Sequence, residues 1–73
     1  MYCRHIRIKA TKEQILEECD ITSPAALENM MKGWAWAVDS VKHMNDGTKR
    51  FYLLDKESKP IGWILDKYVE DIN

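Results

Sequence analysis

Four residues have the side chains that hold zinc: Cys3, His5, Cys19 and His43. Zinc ligands usually come in short-spaced pairs such as C-x2-C or H-x3-H, because both members must reach one ion from one turn. Cys3 and His5 would share a strand face, but neither of those spacings occurs. We expect no metal and no cofactor. Cys19 with His5 or His43 is formally a nucleophile and its base. A reactive thiol needs an electropositive, partly exposed setting, whereas Cys19 reads as an apolar-face residue without a glycine-rich oxyanion segment beside it. Glu17 and Glu18 point different ways on a helix, and Glu13 with Glu17 makes an ordinary solvated face. There is no P-loop, dinucleotide fingerprint or EF-hand loop. We therefore expect no catalytic activity and no small-molecule substrate.

Two groups of residues suit recognition instead. Residues 22–45 are expected to form one helix, and on it Trp36 falls opposite the apolar stripe. Its neighbours on that face would be Gly33, Asn29, Ser40 and His43, small or moderately polar side chains around a large ring. Such a face fits packing on a second element of the same chain, such as the first or last short helix, or else a partner-binding surface, because burying a Trp removes on the order of 200 Å² from water. A homodimer or another protein is the expected partner. The second group is Arg4, Arg7, Lys9 and Lys12, a basic strip beside His5 that could follow a phosphate backbone. The formal net charge of −1 makes nucleic acid the less favoured partner, since nucleic-acid modules carry a basic excess.

The elements that must position these residues follow from local pattern. Residues 2–9 alternate as a strand, with Ile6 and Ile8 inward and Arg4 at the edge of that face. Thr11 and Gln14 have the spacing of a capping box, which starts a short helix through Cys19. Thr22 or Ser23 caps the long helix, with Pro24 in its first turn. Its stripe is Leu27, Met30, Met31, Trp34, Val38 and Val41, and Asn45-Asp46-Gly47 supplies a stop. Residues 50–54 and 60–65 form a hairpin across a polar turn, with Ile61, Trp63 and Leu65 on one face and Gly62 on the other, open to a close backbone. Asp66 is expected to begin a last short helix.

Residues 51–72 resemble the hairpin-then-helix ending of CBS modules: an apolar strand ending in Asp55, a polar turn, the apolar-Gly-apolar run around Gly62, and a helix started by Asp66. The resemblance covers under a third of the chain, and no ligand residue is carried over from it.

The expected fold is thus a single α+β domain over residues 1–73, in the order β-α-α-β-β-α. A small antiparallel sheet of about three strands would pack on one long central helix. A chain of 73 residues has a thin core, for which oligomerisation is a common support. Arg4, His5 and Arg7 interrupt any early apolar segment, and no run reaches the ~20 residues of a membrane span. A cytoplasmic, self-associating interaction module is the expectation, with nucleic-acid regulation the alternative.

Overall fold

A computed structural model describes residues 5–72. The elements are β1 (His5–Ile8), α1 (Lys12–Glu18), β2 (Asp20–Ile21), α2 (Pro24–Met31), β3 (Ala35–His43), β4 (Lys49–Leu54), β5 (Pro60–Leu65), a 3-10 turn (Asp66–Tyr68) and β6 (Val69–Asp71). Every strand pair is antiparallel, and the six strands form one sheet in the order β2-β5-β4-β3-β1-β6.

The helix starts form as expected. Thr11 accepts from the Gln14 amide at 3.2 Å, and the Gln14 side chain accepts from the Thr11 amide at 2.9 Å. Ser23 accepts from the Ala26 amide at 3.2 Å, with Pro24 in the first turn of α2. Each cap satisfies donors that a helix N-terminus leaves unpaired.

The long helix does not form. The α2 helix spans Pro24–Met31 and stops at Gly33, whose φ of +81° is outside the helical range. Ala35–His43 is a strand held on both sides, by β1 and by β4. Each edge of β3 therefore has backbone partners that a helix would have forfeited. The supposed stripe mixes two elements: Leu27 and Met30 are buried in α2, while Met31 and Trp34 are 40% and 42% exposed. Asn45-Asp46-Gly47 turns the β3–β4 hairpin rather than ending a helix, with Met44 N–H donating to Thr48 O at 2.9 Å and Gly47 at φ +90°. The expected three-strand sheet becomes six strands with two short helices, and Asp66 opens a 3-10 turn leading into β6 rather than a helix. The ending of the chain therefore departs from the CBS-like pattern after its hairpin.

Two bulges explain the misleading periodicity. On β3 the register skips Asp39, so Val38 and Val41 both turn toward the core although they are three residues apart. On β5 it skips Ile61, so Ile61 and Ile64 are both buried, at 4% and 0%. Trp63 stays half-buried on the other face instead of sharing one with Ile61, while half-buried Leu65 packs against the edge of the core. Leu53 pairs with Val38 on one side and Gly62 on the other, beside both bulges, and is 1% exposed. Ile6 and Ile8 point inward as read, joined by Trp36, Phe51, Tyr68 and Val69 from the sheet and its closing turn. Ile15, Ala26, Leu27 and Met30 join this core from the two helices.

Gly62 is where β2 meets the hairpin. A Cβ there would lie 1.8 Å from the Asp20 carbonyl oxygen, and φ is +129°. Gly47 also has positive φ, but open space surrounds it. Gly47→Ala should cost about 1 kcal/mol in urea unfolding. Gly62→Ala should cost clearly more, because β2 must also lift off β5. Equal losses at the two positions would refute the close-approach account.

Candidate functional site

The surface around Trp36 was read from a helix. On β3 the Trp36 side chain faces inward, opposite Ile6, and is 5% exposed. Its indole Nε1 is buried and has no hydrogen-bond partner among the described residues. Asn29 is in the last turn of α2 and Gly33 in the connection that follows, and the Asn29 carbonyl accepts from the Lys32 amide at 3.1 Å and from the Trp34 amide at 3.4 Å. Ser40 and His43 are farther along β3 and exposed. The five residues therefore do not make one continuous face.

What the connection does present is Trp34. The residue is 42% exposed, with the Lys56 ammonium 5.2 Å from the ring centroid. His5, Asn29, Ala35, Ala37 and Leu54 join it around a shallow hollow of about 200 Å³. Sequence reading placed Trp34 in the core stripe. The signal that could have moved it is Gly33: a helix stop there puts Trp34 in a connection.

Arg4 lies outside the described residues. Arg7 Nε donates to the Gly33 carbonyl at 3.0 Å, and across β1–β6 Arg7 stands opposite Glu70. Lys9 is exposed past the end of β1 and donates its amide to Tyr68 O at 2.9 Å, and Lys12 stands on α1. The zinc-type residues are dispersed. His5 pairs with Ala37, six residues along β3 from His43, which is about 20 Å of strand. Cys3 lies outside the described residues. Among the described residues no three His, Cys, Asp or Glu are grouped to hold a metal. Burial pushes the Cys19 thiol up, which disfavours the nucleophilic thiolate.

At the other end of the meander a groove of about 620 Å³ opens between the β3–β4 turn and the corner where β5 becomes the 3-10 turn. Arg50 and Trp63 form part of its wall, with the guanidinium carbon 3.9 Å from the indole centroid. Tyr52 stands directly opposite Trp63 across β4–β5, on the face turned away from Phe51, Leu53 and Ile64. Met44 and Leu65 add apolar surface. Asp46 accepts from the Thr48 amide at 3.0 Å and its hydroxyl at 2.6 Å, which sets the turn. Those bonds hold the Asp46 carboxyl below its usual range.

One rim of the groove is a clamp between α1 and the 3-10 turn. Glu18 accepts from the Tyr68 hydroxyl and from the Lys67 ammonium at 3.1 Å. The Tyr68 bond, then the Lys67 bond, hold the Glu18 carboxyl below the usual 4.5. A lowered folded value means that the stabilisation is present above the unfolded value and is lost as pH falls through the folded one.

No protein-family model, curated protein or solved structure matches this chain. Among the described residues no helix is long and apolar enough to cross a membrane.

The clamp can be tested directly. In an NMR pH titration, Glu18 should titrate below 4.5. Tyr68→Phe should move it back up and flatten the acid loss of stability. An unmoved Glu18 titration in Tyr68→Phe would remove the hydroxyl as the main cause.

Proposed function

We propose that this chain is a cytoplasmic protein-interaction module without a catalytic step, and that it associates with a second copy of itself through the surface around Trp34. The observation that carries the reading is the 42% exposure of Trp34 beside small residues and a hollow. Covering it removes on the order of 100 Å² from water per copy, about 2.5 kcal/mol. Tryptophan is also the residue most often dominant in such contacts.

The sheet edges favour a side-chain contact over strand addition. One edge, β2, has two residues, and the other, β6, has three, including exposed Glu70 and Asp71. Short, acidic edges resist pairing with another strand. The net charge of −1 imposes little repulsion between copies. Nucleic-acid regulation draws less support, because Arg7 is spent on Gly33 and faces Glu70.

Light scattering behind a sizing column should show wild-type mass rising with concentration to that of a dimer. Trp34→Ser should remain monomeric and lose no more than about 1 kcal/mol of stability, as expected for a surface position. Trp36→Ser should instead unfold the chain, at a cost of about 3–5 kcal/mol for deleting a core Trp. A wild-type monomer at every concentration, or a Trp34→Ser dimer, overturns the self-association.

A further inference from the structure

We infer that the groove between the β3–β4 turn and the β5 corner is a second, separate recognition site, which takes an extended peptide segment of a partner protein carrying a carboxylate beside an apolar side chain. Arg50 carries the argument. Its guanidinium carbon lies 3.9 Å from the centroid of the Trp63 ring, so the indole shields it on that side. Its Nε is buried without a hydrogen-bond partner, and the Arg50 side chain makes no hydrogen bond or ion pair among the described residues. A guanidinium has five donors in a rigid fork, and a carboxylate can accept two of them in parallel. Contact with the indole limits the motion of the guanidinium, which lowers the entropy cost of capture.

The other charges at the groove are already engaged in part. Glu18 is held by Tyr68 and Lys67, and Asp46 by Thr48. Arg50 lies near enough to Asp46 to help hold that carboxyl down, yet forms no hydrogen bond or ion pair with it among the described residues, and Trp63, Met44 and Leu65 supply apolar contact next to it. Glu18, Asp46 and Asp66 also line the groove, three carboxylates against the two cations Arg50 and Lys67. That arrangement tolerates one carboxylate on Arg50 and repels a continuous polyanion, so we assign the groove to a peptide rather than to nucleic acid.

The test is an array of short blocked peptides, randomised around a central Glu, Gln or Lys and probed with the wild-type chain. Glu peptides with an apolar neighbour should be selected. Calorimetric titration of the strongest one should show affinity falling with salt. Arg50→Gln should weaken it about tenfold or more, and Arg50→Lys, which keeps the charge without the fork, by less. If Arg50→Gln does not fold, a drop with Arg50→Lys carries the test. Trp34→Ser should bind the peptide as wild type does, which separates this site from the self-association surface. Equal selection of Gln peptides, or unchanged affinity in both Arg50 variants, overturns the proposal. So does displacement of the selected peptide by a single-stranded oligonucleotide, which would assign the groove to nucleic acid.

Discussion

The structure depends on how the sheet bends around Leu53. Its neighbours on β3 and β5 each carry an extra residue beside it, Asp39 and Ile61. A bulge bends its strand and raises the local twist. Two bulges flanking the same residue let the meander place Val38, Leu53 and Ile64 on one buried face. Two helices of seven and eight residues could not cover a flat sheet of six strands. With the sheet bent, Ile15 from α1 and Leu27 and Met30 from α2 complete the core.

The antiparallel meander puts the two proposed surfaces at opposite ends of β4. The β4–β5 turn lies at the Trp34 end, where Lys56 approaches the ring. The β3–β4 turn lies at the other end, where Arg50 covers Trp63. Both surfaces pair an indole with a cation, but their surroundings differ. Trp34 stands 42% exposed over a shallow hollow. Trp63 is half-buried in a larger groove whose carboxylates are partly engaged. The first suits a broad contact between folded surfaces, and the second an extended segment with one fixed charge.

Core packing and the wall of the groove meet in the short segment 66–72. Tyr68 is in the core, its hydroxyl holds Glu18, and its carbonyl accepts from the Lys9 amide. Val69 then pairs with Ile8, which ties the last strand to the first described one. Lys67 and Asp66 line the groove from the same segment. A change in this corner would therefore alter the packing of α1 and the shape of the groove together.

Local chemistry made several elements legible in the sequence. The capping box at Thr11, the Ser23-Pro24 start, the inward Ile6 and Ile8, the 50–65 hairpin and the close backbone at Gly62 all rest on contacts within a few residues or on a steric demand of glycine. Tertiary structure decided the segment from Lys32 to Gly47. There Val38 and Val41 have helical spacing, but a bulge produces the same spacing in a strand. The choice between helix and strand rested on β1 and β4, which offer β3 backbone partners on both sides and lie far from it in sequence or across a turn. Trp36 and Trp34 exchanged places for that reason: residue type is the same at both, and the pairing of β3 turned Trp36 into the core and left Trp34 in the connection.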